Sequence, residues 1–197
     1  MNIKLGISEP LKPFSGLPLS IFLLCLAFSV SGCSRSLHWI HEGEEVPSCI
    51  PDRLPTWEDY SRQDRHGKES AITAVLFYPK HSPPKIQMRF DYQRSWVKAS
   101  IVDPWNPELV GESKRILLHE QLHFMISCLL TRQANQTLQN GGDPLEMVKL
   151  VKAAAKRLNL QYDKDTNHGL NTEAQLDWER EIQEQLLKLS IIQGRGF

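Results

Sequence analysis

Hydrophobic and polar positions change rhythm twice along this chain, and each change marks a new kind of element. Residues 71–78 (AITAVLFY) are rich in β-branched and aromatic side chains, which predicts a strand. The prolines of 79–84 (PKHSPP) predict a turn. Residues 85–92 (KIQMRFDY) then alternate, with Ile86, Met88, Phe90 and Tyr92 on one side, the period-two pattern of a half-buried strand. Residues 96–102 extend or follow this hairpin as a third strand. Past Asp103-Pro104-Trp105-Asn106-Pro107 the rhythm becomes helical. Ile116, Leu117, His119, Glu120, His123, Phe124, Ile126, Leu129 and Leu130 share one run that ends near Asn140-Gly141-Gly142. Asp143-Pro144-Leu145-Glu146 restarts a helix, with a cap residue, proline at the first position and glutamate three after the cap. Leu145, Val148, Val151, Ala155 and Leu158 keep helical spacing. A polar loop over about 161–171 precedes a last helix from Thr172 to about Leu189. A small antiparallel sheet followed by helices is an α+β layout.

Composition narrows the partners. At 197 residues the chain has room for one domain, and 23 basic residues balance 23 acidic ones. No basic block is interleaved with aromatics, so the sequence carries no electrostatic footprint for nucleic acid.

The first 33 residues follow a different logic. Lys4 and Lys12 precede an apolar run from Leu17 to Val30, which has the length of a signal-peptide core and is short for a bilayer span. The run ends in Val30-Ser31-Gly32-Cys33, which resembles the lipobox of bacterial lipoproteins, with valine where leucine is usual. That resemblance implies a lipidated Cys33 as the new N-terminus; the alternatives are a secreted protein cut nearby or an uncleaved anchor. Ser34 after it implies sorting to the outer membrane, facing the periplasm. The expected organisation is a signal peptide over 1–32, a proline-broken tether over 33–54, and one folded domain over 55–197. The membrane is then a partner through the lipidated terminus. Cys49 and Cys128 remain for the exported part. In an oxidising compartment they form a candidate disulfide, with two buried thiols as the alternative.

His119-Glu120-Gln121-Leu122-His123 is an HExxH segment inside the first helical run. Residues four apart lie nearly above one another on a helix, so both imidazoles can point at one zinc ion. Glu120 stands about 100° round from His119 and can act as general base toward a zinc-bound water, whose pKa falls to about 7. The apolar neighbours Leu117, Leu118, Leu122, Phe124 and Ile126 bury the helix, and buried imidazoles need partners. A catalytic zinc generally has three protein ligands and one open position. His168 is the only histidine after His123, and Gly169 beside it allows a tight turn. Glu146, Glu173 and Glu179 compete for the third place. Glu146 is better explained as a capping residue and Glu173 as first-turn charge. Asp163 can orient a ligating histidine, and Asp165 reads as a solvated loop residue. Tyr162 is a candidate to stabilise an oxyanion, or a core residue. Trp57, Trp96 and Trp178 read as core. An extended peptide could add to the edge of the strand at 85–92.

Several separated segments together carry a resemblance. LLHEQLHF (117–124), TWEDY (56–60), Ser95-Trp96, YDKDTNHG (162–169), Gln175 and Trp178 occur in an order similar to a bacterial family of secreted zinc-dependent proteases. That family was long described as a domain of unknown function, and its activity is itself inferred. Leu122 stands where the family has glycine, and Cys49 and Cys128 fall outside its pattern. The resemblance implies zinc, a zincin-like fold with HExxH on a central helix, and His168 as third ligand. The expected function is an envelope-anchored zinc metallopeptidase acting on peptide or protein substrates. The alternative is a metal-binding envelope lipoprotein without catalysis.

Overall fold

The computed structural model describes residues 53–64, 67–103 and 105–194. The leader, Cys33 and Cys49 lie outside the described residues. Five strands come first: β1 (Ser61–Gln63), β2 (Ala71–Ile72), β3 (Val75–His81), β4 (Pro84–Phe90) and β5 (Trp96–Lys98). Three helices follow: α1 (Val110–Leu138), α2 (Pro144–Thr166) and α3 (Thr172–Gly194). The layout is α+β.

The β layer is more divided than the sequence pattern suggests. β3 and β4 form an antiparallel hairpin, with Val75 opposite Phe90 and His81 opposite Pro84. The run expected as one strand over 71–78 breaks at Thr73-Ala74. Ala74 N–H donates to the buried Ser95 Oγ at 3.0 Å instead of to a ladder partner. β2 therefore joins a second small sheet, antiparallel to β5, while β1 runs parallel to β5 on its other side. The expected third strand shortens to Trp96–Lys98, and the chain then tightens into a 3-10 turn over Ala99–Val102 that buries Ile101.

α1 carries the centre of the core. Leu122, Ile126, Leu129 and Leu130 are fully buried against the hairpin, α2 and α3. Each such side chain contributes about 1.5–3 kcal/mol. The polar Ser127 and Thr131 are buried with them, and their hydroxyls donate to the carbonyls of His123 (3.1 Å) and Ser127 (2.9 Å) one turn back. One turn further on, the Asn135 amide grips β4. It accepts from Ile86 N–H at 2.6 Å and donates to Ile86 C=O at 2.9 Å. The strand edge expected to receive an extended peptide is thus already occupied at Ile86.

α2 begins as expected, with Pro144 first and Asp143 Oδ1 accepting from Leu145 N–H at 3.0 Å. Glu146 does not reach back to the cap; its carboxylate pairs with Lys149 at 2.7 Å in solvent. The helix also runs five residues beyond Gln161, where the polar sequence predicts a loop. Leu158, Tyr162 and Thr166 continue its buried face at four-residue steps, so only one residue per turn had to be non-polar. Gly141 and Gly142 between α1 and α2 take positive φ, a conformation glycine adopts without strain. No helix among the described residues is long and apolar enough to cross a membrane.

Candidate metal centre

His119 and His123 lie on one face of α1, and α2 crosses that face with Asn159, Tyr162 and Asp163. Three donor atoms meet there. His119 Nε2 and His123 Nε2 are 3.2 Å apart, and Asp163 Oδ1 stands 3.1 Å from the first and 3.0 Å from the second. His168 Nδ1 lies 3.8 Å from the same carboxylate oxygen. The donor atoms of His119, Asp163 and His168 all lie within 4.8 Å of one another, and this group could hold a metal ion. The pairwise distances place His123 in the same cluster.

Proton bookkeeping argues that the triangle suits a cation. His123 Nδ1 faces the Asn159 Oδ1 acceptor at 3.0 Å, so Nδ1 carries the N–H and neutral His123 offers only a lone pair at Nε2. That lone pair faces the Asp163 carboxylate at 3.0 Å, an arrangement that either a proton on Nε2 or a bound cation stabilises. A tetrahedral zinc with bonds of 2.0–2.1 Å has ligand atoms about 3.3–3.4 Å apart. The observed spacings are a few tenths shorter, within reach of a small side-chain adjustment. The residues fit a metal ion with nitrogen and oxygen ligands.

The rest of the pocket holds these side chains in place. The fully buried Tyr162 ring stacks on His119, with centroids 4.7 Å apart and planes 19° from parallel. Its hydroxyl donates toward Gln175 Oε1 at 3.2 Å, with the His119 carbonyl at 3.4 Å. Tyr162 is thus a core support, and its hydroxyl is committed away from any reacting group. Asp165 is no solvated loop residue: it accepts from Trp178 Nε1 (3.2 Å) and Gln161 (2.6 Å), tying α2 to α3. The TWEDY segment clasps the other flank of α1. Trp57 Nε1 donates to Ser113 Oγ at 2.9 Å, and Gln121 donates to Pro55 C=O at 2.8 Å. The Tyr60 hydroxyl, Thr73 Oγ1 and the Glu120 carbonyl form a chain at 2.6 and 3.2 Å.

The turn after α2 is unusual. Asn167, His168 and Gly169 all take left-handed conformations, with φ of 48°, 54° and 78°. A non-glycine residue there costs about 1–2 kcal/mol. His168 N–H donates to Asp163 C=O at 2.9 Å, and Asn171 N–H to Thr166 C=O at 2.7 Å, which fixes the turn over the carboxylate. Gly169 is required on two grounds: its φ, and its approach to His119, whose Cβ and Cγ would stand 3.1 and 3.2 Å from an added Cβ.

Charge follows the same geometry. Burial pushes the Asp163 carboxyl up, but the hydrogen bonds from His119 and His123 outweigh it and hold its pKa well below the carboxylate range. Burial works against protonating His123, yet the Asp163 contact and the Glu120 charge raise its pKa above the ordinary 6.5. Burial, reinforced by the Glu120 charge, keeps the Tyr60 and Tyr162 phenols protonated. Glu120 itself is buried, and its Oε2 makes no hydrogen bond among the described residues. His119 Nδ1 is likewise buried without one.

The structure therefore brings together His119, His123 and His168, with Asp163 between them. Glu146 and Glu173 sit exposed in the first turns of their helices. The sequence pattern does not single out Asn159; its four-residue spacing from Asp163 is the signal that could have found it. Cys128 is disulfide-bonded, and Cys49, its expected partner, lies outside the described residues. Comparison of the chain with protein-family models, curated proteins and solved structures finds no match.

Proposed function

We propose that the chain is a zinc-dependent metallopeptidase, held at the bacterial envelope by a lipid on Cys33. The observation that carries the reading is the triangle of His119 Nε2, His123 Nε2 and Asp163 Oδ1, with sides of 3.0–3.2 Å, built on an HExxH helix. Zinc, when bound, supplies Lewis acidity and a hydroxide equivalent at neutral pH. Glu120 is the residue that accepts the proton from the attacking water and returns it to the leaving amine. Its support is position, next to His119 and buried, with a carboxylate oxygen free of hydrogen bonds among the described residues. Tyr60 and Tyr162 feel this carboxylate's charge and stay neutral phenols, so Asp163 is the other negative charge of the site.

A second reading is a metal site without catalysis. It is favoured by one observation, the fourth donor: with His168 added, protein groups can fill a tetrahedral shell, as in structural zinc sites.

Two measurements on the purified full chain test these readings in turn. Elemental analysis should find about one zinc per chain; a chain that takes up no zinc at any pH ends both. Cleavage of a broad peptide library should be lost in Glu120→Gln with zinc retained. Equal cleavage by the variant would remove Glu120 as the base, and no cleavage by the wild type would favour the second reading.

A further inference from the structure

His119, His123 and Asp163 differ from His168 in every respect that decides how firmly a ligand is held. The first three project from the interiors of α1 and α2, and their side chains are 6%, 13% and 24% exposed. His168 projects from the turn beyond α2, and its side chain is 74% exposed. The three helical donors lie 3.0–3.2 Å from one another, whereas His168 Nδ1 stands 3.8 Å from Asp163 Oδ1. The two helical histidines are also braced. Asn159 holds His123, and Tyr162 and Gly169 close on the His119 ring. Among the described residues His168 makes one hydrogen bond, backbone N–H to Asp163 C=O at 2.9 Å, which anchors the main chain, while its exposed imidazole is held by nothing closer than Asp163 Oδ1 at 3.8 Å.

We propose that His119, His123 and Asp163 are the permanent metal ligands and that His168 is an exchangeable fourth, a self-supplied cap on the coordination position that substrate or water must use. This rests on the metal reading above and assigns regulation to the same site. In the capped state His168 Nδ1 fills the open position. To uncap, the imidazole swings into solvent about its own side-chain torsions and takes its lone pair with it. A neutral oxygen donor, a water or a peptide carbonyl, takes the vacated place; no proton or electron changes hands. The left-handed backbone at residues 167–169 gives the cap its reach. A helical continuation of α2 would carry residue 168 onward past Asp163, whereas the reversal at Asn167 folds it back over the carboxylate. The apparent conflict between a four-donor shell and a catalytic site then disappears, because the same four residues make a closed site at rest and an open one in use.

The test uses the full chain in detergent, loaded with cobalt(II), with metal affinity read by chelator competition and coordination read by visible absorption. Asp163→Asn removes the carboxylate charge with almost no change in shape. His168→Gly removes the imidazole and relieves the positive φ, so it keeps the turn. We expect Asp163→Asn to weaken metal binding by more than the 10–100-fold typical of residues that merely orient ligands, and His168→Gly by less than about tenfold. The cobalt spectrum of His168→Gly should change, and added imidazole should restore the wild-type spectrum. Acetohydroxamate, an oxygen-donor probe of the open position, should bind His168→Gly more tightly than wild type. If the cap is closed nine-tenths of the time, the gain is about tenfold. Metal loss in His168→Gly as severe as in His119→Ala would overturn the proposal and make His168 a permanent ligand. So would unchanged affinity in Asp163→Asn, or equal acetohydroxamate binding in wild type and His168→Gly. A wild-type chain that binds no cobalt or zinc would be a different failure, that of the metal reading itself.

Discussion

Gly169 lies so close to His119 that any side chain at 169 would press on the imidazole: an added Cβ would sit 3.1 Å from His119 Cβ and 3.0 Å from Gln175 Oε1. Gly169→Ala therefore acts twice, through a φ of 78° that alanine rarely adopts and through displacement of a metal-site histidine. We expect a loss of about 1–3 kcal/mol in unfolding free energy. Zinc affinity should fall with it, because His119 cannot retreat into the stacked Tyr162 ring. Thermal melts with and without zinc measure both effects. A variant destabilised equally in the two states, with unchanged zinc affinity, would show that the contact with His119 does not matter to the site.

Asn159 and His123 make the clearest orienting pair, Nδ1 to Oδ1 at 3.0 Å. Asn159→Leu keeps the approximate size and removes the acceptor, freeing His123 to take the tautomer with its proton toward the metal. Zinc affinity should drop about 10–100-fold. Asn159→Asp preserves an acceptor and should keep affinity near wild type. Chelator competition distinguishes them; equal losses in both variants would point to packing rather than hydrogen bonding.

The metal-free chain should show a stability maximum in mildly acidic solution. Asp163 has a lowered pKa in the fold, so its contribution is present above the unfolded value near 3.8 and is lost as pH falls toward the folded one. His123 has a raised pKa, so its contribution is complete below about 6.5 and is lost as pH rises through the folded value. The two windows overlap between about pH 4 and 6.5. Zinc requires the neutral imidazole, so saturating zinc should move the maximum to higher pH. Melting temperature against pH, with zinc and with chelator, checks this. A metal-free profile that rises steadily to pH 8 would contradict the pairing of His123 with Asp163.

The helices and the histidine cluster were readable because apolar spacing and the HExxH segment are local signals. His119 and His123 share a face for any sequence that forms α1. Asp163 was harder. Its segment, 162–169, looks like a polar loop until Tyr162 and Thr166 are seen to face the core at four-residue steps from Leu158. Once α2 is extended to Thr166, Asn159 and Asp163 fall on one flank and both point at α1. The break at Ala74 had no local signal, because Ser95, which captures its N–H, lies 21 residues away. Nothing about Ala74 itself marks it as the place where the strand breaks. Glu146 shows the reverse error: a capping-box spacing was present, yet Lys149 offered its carboxylate a partner three residues on.

Asn135 provides a last test, of how the hairpin is held to α1. Its amide satisfies both the N–H and the C=O of Ile86, a fully buried β4 residue whose backbone faces away from β3. β3 cannot substitute, since the residue opposite is Pro79, which has no N–H to give. Asn135→Ala would leave two backbone groups unpaired at a part-buried edge, at about 1–3 kcal/mol for each group that water does not reach. Asn135→Asp keeps the acceptor for Ile86 N–H but sets a carboxylate against Ile86 C=O, so it should be no better than alanine. Because Asn135 is four turns along α1 from His119, zinc affinity should stay within about twofold in either variant. Chemical denaturation with zinc absent measures the first effect and chelator competition the second. Unchanged stability in both variants would mean that water replaces the amide at Ile86, and that the β4 edge is open to an incoming chain after all.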